Sequence, residues 1–216
     1  MSVCMICCDP LVDSDGDESH RACRERLWGR TEAPRVPWSH QELVPLTIEG
    51  DRTSISGFQP KALVRIGASG ELEVPQTGST HILKPQGELV HMPENEHLSM
   101  RLAELAGLEV PPCGLVRLTD GSLAYIVRRF DRTPGSPPGR LAKQDFCQLL
   151  DVQPTRMYEE PTERCAAAVK EHADAIGDLP DTLRRLYRLF VVAYWLGNSD
   201  LHLKNISLLE DPADPR

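Results

Sequence analysis

Features that would place this chain in several large classes of proteins are missing from its sequence. No stretch approaches the roughly 18 apolar residues of a membrane span, and the first residues lack the basic and apolar segments of a secretion signal. Basic charge is not in excess either, because 24 Lys and Arg stand against 32 Asp and Glu, for a formal net charge of −8. We therefore expect a cytoplasmic protein with no membrane partner. The charge also argues against direct nucleic-acid binding, which depends on neutralising phosphates.

The 216 residues, 40% of them hydrophobic, are enough to bury one good core or two small ones. Seven cysteines are present, and four of them fall within the first 23 residues. Their spacing there is C-x2-C-x12-H-x2-C, and Cys8 is a spare or an alternative ligand. Two ligand pairs of this kind can wrap a tetrahedral structural zinc, and a reducing cytosol favours metal over disulfide. Free thiols at a mobile terminus are the alternative. The predicted zinc ligands are Cys4, Cys7, His20 and Cys23.

Proline, glycine and apolar periodicity divide the rest of the chain. Residues 30–52, with Pro34, Pro37 and Pro45, predict an extended linker after a zinc knuckle at 1–29. Residues 53–139 predict an antiparallel sheet and one helix, in the order of a protein-kinase small lobe, and residues 140–216 predict part of a helical large lobe. The overall prediction is an α+β fold. The predicted strands are Ala62–Ile66, Leu72–Val74, Thr80–Pro85, Leu115–Leu118 and Leu123–Val127. The predicted helices begin at Pro93 (apolar face Leu98, Leu102, Leu105), Leu141, Arg164 and Thr182 (N-cap Asp181).

The segment from Asn198 to Asn205 is the most informative one in the sequence. Asp200 is followed after four residues by Asn205, directly beyond an apolar helix. Kinases use this layout to hold a substrate hydroxyl and a magnesium ion. Aspartate and asparagine also favour turns and helix ends, so simple turn chemistry is the alternative.

Six motifs in this order resemble the HipA-like serine/threonine kinases, the toxins of bacterial toxin–antitoxin systems, and particularly their shorter HipT-type members. The resemblance covers about residues 53–209. The motifs are Ser54–Lys61, Thr80–Pro85, Glu94–Glu96, Val127–Arg132, Gln144–Gln148 and Gly197–Leu209.

The resemblance implies an ATP- and Mg²⁺-dependent kinase and assigns roles to particular residues. Lys84 would neutralise phosphate charge while pairing with Glu96, or failing that with Glu94. Arg129 and Phe130 would belong to the hinge that meets adenine, although Arg129 and Arg132 are equally interpretable as solvated charges. The loop that covers the phosphates would contribute Ser56, Gly57, Gln59 and Lys61.

The catalytic loop receives roles in the same way. Asp200 would take the proton of the acceptor hydroxyl, Lys204 would meet the transferring phosphate, and Asn205 would coordinate Mg²⁺. His202 is expected to pack the loop. The resemblance also implies self-phosphorylation on Ser54 or Ser56, whose added charge would repel ATP.

One part of the family pattern is not found. A second metal-binding aspartate is expected on a strand after the catalytic loop, and neither Asp211 nor Asp214, both beside prolines, fits that role. The prediction is therefore a HipA-like toxin kinase truncated after its catalytic loop, with an antitoxin partner and a protein substrate of the aminoacyl-tRNA synthetase type. The alternatives are an inactive fragment, or a pseudokinase that binds nucleotide or antitoxin. A zinc-dependent DNA-binding module is a distant third.

Overall fold

The computed structural model describes residues 2–11, 18–49, 60–133, 139–159 and 161–209. The chain forms two compact units. The N-terminal unit comprises Met1–Glu104 and Glu109–Gly139, and the C-terminal unit comprises Leu105–Leu108 and Arg140–Arg216. Among the described residues, no helix combines the length and the apolar content needed to cross a bilayer.

The N-terminal unit is built on a five-stranded antiparallel sheet with the strand order β2-β1-β3-β5-β4. The strands are β1 (Ala62–Ile66), β2 (Leu72–Glu73), β3 (His81–Pro85), β4 (Cys113–Arg117) and β5 (Leu123–Arg128); the helices are α1 (Arg21–Trp28), α2 (His40–Glu49) and α3 (Met92–Leu105). The predicted order of strands and helix is confirmed, and with it the α+β, kinase-like small lobe.

Side chains from residues 2–11 and 18–28 pack into the same core as the sheet. Cys4 and Leu27 are buried in one cluster with Ala62 of β1 and Leu83 of β3. Gly29 ends α1 with a positive φ of 71°, and its N–H donates to the Glu25 carbonyl. The cysteine-rich N-terminus is therefore a packed part of this unit.

The prediction of an extended segment between the knuckle and the sheet was wrong. Residues 40–49 form α2, and Leu43 on that helix is completely buried in the core of the sheet. The physical reason is a capping box. The Ser39 N–H and hydroxyl donate to the Glu42 carboxylate at 2.8 and 2.7 Å, and the Glu42 N–H donates back to the hydroxyl at 3.4 Å. This start signal outweighs Pro45, which the helix contains in its interior.

Helix α3 forms where it was predicted, but it buries a different face. Leu98, Leu102 and Leu105 are exposed in the structure, whereas His97 and Ala103 are buried. An apolar stripe at helical spacing was therefore a sound indicator of a helix and a poor indicator of its buried side. The reason is that a backbone carbonyl in the core accepts a hydrogen bond from His97, so a polar side chain is buried.

The C-terminal unit combines three helices with a two-stranded sheet. The elements are β6 (Lys143–Asp145), α4 (Phe146–Leu149), α5 (Thr162–Glu171), α6 (Leu179–Trp195) and β7 (Ser207–Leu209). Strand β6 pairs with β7 in antiparallel register, from Lys143 opposite Leu209 to Asp145 opposite Ser207. The core of the unit lies around Phe146, Val169 and Leu203.

Two predictions for this unit need correction. The helix predicted to begin at Leu141 is shorter, because Asp145 ends β6 and caps α4 in a capping box with Gln148. The last helix begins at Leu179, and its N-cap is Asp178, whose carboxylate accepts from the N–H of Asp181 at 2.9 Å. Asp181 lies in the first turn instead.

One face of α6 is apolar and exposed in the structure. Tyr187, Val191, Tyr194 and Trp195 recur at helical spacing, and Tyr194 and Trp195 are 89% and 82% exposed. The broad apolar face of this helix, which also includes Leu183, Leu186 and Phe190, predicts burial from the sequence, and that prediction is wrong for these four residues. The opposite face, with Leu186 and Ala193, is buried.

Candidate functional site

A lysine and a glutamate meet between β3 and α3. Lys84 Nζ lies 2.5 Å from Glu96 Oε1, and the two side chains are only 22% and 27% exposed. Alternation along β3 buries His81, Leu83 and Pro85 on one face, which leaves Lys84 for the other. Glu94, the alternative partner, instead lies 3.2 Å from His91 Nδ1.

Two neighbours shape the surroundings of this ion pair. Tyr125 lies opposite Lys84 on β5, and its buried ring has its centroid 5.7 Å from Lys84 Nζ. Lys61 precedes β1, where burial and then the charge of Lys84 lower its pKa, while Glu96 opposes that shift. The ammonium groups of Lys61 and Lys84 and the carboxylate of Glu96 are thus close enough to influence one another.

The segment after β5 is fixed by charged side chains. Arg129 donates from Nε and Nη2 to the two carboxylate oxygens of Asp131 at 2.9 and 2.7 Å, and from Nη1 to Ser79 Oγ at 3.0 Å. Arg132 joins the same carboxylate at 2.7 Å. Burial acts to raise the pKa of Asp131, but both arginines outweigh burial and the pKa is lowered. The interpretation of Arg129 and Arg132 as solvated charges was therefore wrong, because both are largely buried. Phe130 is exposed.

The predicted phosphate-covering loop falls mostly outside the described residues. Ser54, Ser56, Gly57 and Gln59 belong to this part of the chain, as do Asp211 and Asp214. Their predicted roles stay predictions.

The catalytic-loop candidates lie after α6 in the C-terminal unit. The N–H of Asp200 donates to Asn198 Oδ1 at 3.1 Å, and Asn205 Nδ2 donates to the carbonyl of Asp200 at 2.7 Å. The second of these hydrogen bonds joins Asp200 and Asn205, the first and last residues of the Asp-x4-Asn motif. The Asp200 side chain is 76% exposed, so the carboxylate remains accessible to a substrate.

Buried apolar side chains anchor this loop. Leu203 and Ile206 insert into the core of the unit, and the N–H of Phe146 donates to the Ile206 carbonyl at 3.1 Å. His202 is mostly buried, and its Nδ1 accepts from the N–H of Lys204 at 3.2 Å. His202 thus packs the loop as expected of it, and the anchors on either side hold Asp200 and Asn205 in place.

Sequence reasoning missed Tyr158, which lies in a polar loop given no role. Its hydroxyl donates to Asp200 Oδ1 at 2.6 Å, and its ring meets the His202 ring edge-on with centroids 4.8 Å apart. The bond to Asp200 raises the pKa of Tyr158. No spacing rule connects residues this far apart in the chain, so this contact has no local sequence signal.

The four predicted metal ligands come together in the N-terminal unit. One ligand atom from each of Cys4, Cys7, His20 and Cys23 lies within 4.8 Å of the other three. His20 Nδ1 is 3.3 Å from Cys7 Sγ and 3.9 Å from Cys23 Sγ. Tetrahedral zinc with thiolate and imidazole ligands requires separations of about 3.5–4 Å between ligand atoms.

Groups around the cluster suit a metal-bound state. His20 Nε2 lies 3.1 Å from the Pro10 carbonyl, so an N–H on Nε2 puts the ring lone pair on Nδ1, the nitrogen that faces the cysteine sulfurs. The N–H of Ile6 donates to Cys4 Sγ at 3.4 Å. Burial acts to raise the pKa of Cys4, but backbone N–H groups of Cys7, His20 and Ile6 outweigh it and lower the pKa to about 7. Cys8 is exposed and is not one of the four.

These features define a protein of the protein-kinase class: a sheet lysine paired with a helix glutamate, and an Asp-x4-Asn loop anchored behind a buried helix. Residues 53–216 match the HipA-like C-terminal domain, and the chain belongs to that family.

Individual relatives agree with this family. A Haemophilus influenzae protein provisionally named a kinase is 30% identical over 224 residues, which cover 97% of this chain and 64% of the relative. The serine/threonine-protein kinase toxin HipA of Shewanella oneidensis is 28% identical over 182 residues, covering 75% of this chain and 40% of the relative. The chain thus spans 64% of the length of the first relative and 40% of the length of the second, less than two thirds of either.

A solved structure shows the same fold. It contains the HipA and HipB proteins of the Shewanella oneidensis toxin–antitoxin system with operator DNA. It superposes with a TM-score of 0.62 at 23% identity, over 82% of this chain and 47% of that chain.

Proposed function

We propose that this chain carries the nucleotide-binding and phosphoryl-transfer elements of a HipA-like serine/threonine protein kinase. The observation that carries the proposal is the 2.5 Å ion pair between Lys84 and Glu96. Protein kinases require this pair to hold the lysine against the ATP phosphates.

The surroundings of that pair supply the positive charge that ATP needs. Burial beside Lys84 lowers the pKa of Lys61, and a bound triphosphate would relieve that cost. Ser56, Gly57 and Gln59 are proposed to cover the phosphates, and the backbone at Arg129 and Phe130 is proposed to meet adenine. The ion pairs of Asp131 with two arginines would keep this last segment rigid.

Phosphoryl transfer is assigned to the loop after α6. The acceptor hydroxyl loses its proton to Asp200, its oxygen forms the bond to the γ-phosphorus, and the bond from that phosphorus to ADP breaks. Lys204 meets the charge on the transferring group. Asn205 would hold Mg²⁺ through its amide oxygen, and the ion would supply positive charge next to the phosphates.

Family membership supports two further parts of the proposal. A relative is named a kinase toxin, and the superposed structure contains an antitoxin protein, so we assign this chain an antitoxin partner and a protein substrate of the aminoacyl-tRNA synthetase type. Self-phosphorylation is assigned to Ser54 or Ser56. The Cys/His cluster is assigned a structural Zn²⁺, because four protein ligands leave no open position for catalysis.

Incubation of the full chain with Mg²⁺ and ATP tests the kinase assignment. Intact-mass analysis should show an added phosphoryl group, peptide mapping should place it on Ser54 or Ser56, and Asp200→Asn should abolish the addition. Nucleotide binding without transfer would favour the pseudokinase alternative. No binding of Mg–ATP to a folded chain would contradict the proposal as a whole.

A further inference from the structure

The two residues between the first pair of predicted metal ligands form hydrogen bonds to other elements of the N-terminal unit. Met5 and Ile6 lie between Cys4 and Cys7. The Met5 carbonyl accepts from the N–H of Leu115 on β4 at 2.8 Å. The Ile6 carbonyl accepts from Nε2 of His97 on α3 at 2.9 Å. The turn between two metal ligands therefore bonds to both a strand and a helix.

The bond to α3 is buried and specific. His97 is 2% exposed, and Ile6 is also buried. Burial lowers the pKa of His97, which favours the neutral imidazole with a single N–H to donate. An unpaired donor at this depth would destabilise the fold, so the position of the helix and the position of the Ile6 carbonyl depend on each other.

The turn at Met5 and Ile6 also packs closely against β4. A Cβ atom on Gly114 would lie 2.9 Å from Ile6 Cγ1 and 3.0 Å from the Met5 carbonyl oxygen. Glycine is thus the residue that allows this close approach. On its other side the turn is held by the N–H of Met5, which donates to the Glu18 carbonyl at 2.9 Å.

His97 directly follows Glu96, the residue whose carboxylate pairs with Lys84. The metal ligands are thus connected to the ion pair in three steps. The turn between Cys4 and Cys7 holds the Ile6 carbonyl, that carbonyl bonds to His97, and His97 is the neighbour of Glu96 on α3. A structural zinc fixes the backbone between its ligands, and small knuckles of this kind owe most of their folding energy to the metal.

From this path we infer that Zn²⁺ bound by Cys4, Cys7, His20 and Cys23 holds α3 in place through the Ile6 carbonyl and His97, and thereby sets the Lys84–Glu96 pair. The metal site is then a determinant of nucleotide binding, and loss of zinc switches that binding off. The consequence for nucleotide rests on the proposed function, whereas the effect on α3 does not.

Hydrogen exchange on the full chain tests the effect on α3 without any kinase assay. Reduced protein should contain one zinc ion per chain by elemental analysis, and its removal by a chelator should speed exchange of the buried-face amides of Met92–Leu105 by about tenfold or more. Added Zn²⁺ should restore protection. Peptides from α5 serve as the internal reference, because that helix belongs to the other unit.

Matched variants separate the metal from the link that transmits its effect. Cys23→Ser should lose zinc and α3 protection together, whereas Cys8→Ser should keep both, because Cys8 is exposed and outside the cluster. His97→Phe should keep zinc but lose α3 protection. His97→Gln, whose amide N–H can replace the imidazole N–H, should recover part of it.

The inference is overturned if reduced protein takes up no zinc, or if zinc removal leaves α3 exchange unchanged. Should Cys23→Ser fail to fold, the comparison of His97→Phe with His97→Gln decides, and equal exchange in the two would also overturn it. Binding of Mg–ATP is measured in parallel. If α3 follows zinc but ATP does not bind, the proposed function is wrong while the role of the metal in positioning the helix stands.

Discussion

The candidate site residues in the two halves of the chain are held in place in different ways. Lys84 and Glu96 lie on a strand and a helix, are mostly buried, and depend on long-range packing between elements. Asp200 lies on a loop, is mostly exposed, and is tied by short-range hydrogen bonds to Asn198 and Asn205. Regular structure positions the first pair, and local loop chemistry positions the second. Changes in the first half should therefore act on binding and folding, and changes in the second half on turnover.

The largest effect on turnover is expected from Asp200→Asn. Loss of the proton acceptor should lower phosphoryl transfer by about 10²–10⁴-fold, the usual contribution of a general base. Affinity for Mg–ATP should stay near that of the unchanged chain, because Asp200 contacts the acceptor and not the nucleotide in the proposed mechanism. Single-turnover kinetics with calorimetric binding measures both. A parallel loss of nucleotide affinity would show that the two halves are not separable in this way.

A stability difference between the units is the next prediction. Leu43→Ala on the buried side of α2 should lower the free energy of unfolding by about 2–5 kcal/mol, because it leaves a cavity in the core. Val191→Ala, the matched truncation on the exposed face of α6, should change it by less than about 0.5 kcal/mol. Denaturant unfolding checks the pair. A cost at Val191 equal to that at Leu43 would mean that another surface covers the α6 face in solution.

Sequence patterns predicted the sheet because short runs of β-branched and apolar residues are bounded by turn residues. The same patterns failed at residues 40–49, because the three prolines within residues 30–52 suggested an extended chain although Ser39 and Glu42 form a helix-start signal. Local signals can conflict, and the buried contact of Leu43 with the sheet is what decides between them. That contact is not visible in the local sequence.

The sequence likewise predicted some of the candidate site residues and missed others. Lys84, Glu96, Asp200 and Asn205 were predicted from motif order, because kinase chemistry requires these residue types at these spacings. Tyr158 was missed, since its partner Asp200 is brought to it by folding alone. The buried role of His97 was missed for the same reason, because a histidine on a helix says nothing about the carbonyl it will meet.

A further prediction concerns nucleotide affinity and the substitution Lys84→Met in the N-terminal half of the chain. Removal of one charged hydrogen-bond donor to phosphate should weaken Mg–ATP binding by about 10–100-fold. Lys170→Met, which removes an exposed lysine of α5, is the matched control and should leave affinity unchanged. Calorimetric titration of folded protein gives both values. Equal affinity in Lys84→Met and the unchanged chain would remove this lysine from the nucleotide site.

The smallest effect is expected from Tyr158→Phe, which keeps the ring against His202 and deletes the hydroxyl that donates to Asp200. In the proposed mechanism the acceptor hydroxyl must replace this phenol at the carboxylate, so the variant should transfer phosphate faster, by less than about tenfold.

The hydrogen bond from Tyr158 to Asp200 should also be visible in the pH titration of Tyr158. Its pKa is raised by Asp200, so the protonated phenol and its hydrogen bond are fully present below pH of about 10 and are lost only as pH rises through the higher folded value. Tyr125 also titrates late, because burial raises its pKa, but difference spectrophotometry should show a second late-titrating tyrosine that disappears in Tyr158→Phe. In Asp200→Asn this tyrosine should titrate earlier, because the carboxylate that holds its proton is gone. An unchanged late titration in Asp200→Asn would mean that a group other than the Asp200 carboxylate raises the pKa of Tyr158, and the hydrogen bond between the two residues would not be the one that the acceptor hydroxyl has to replace.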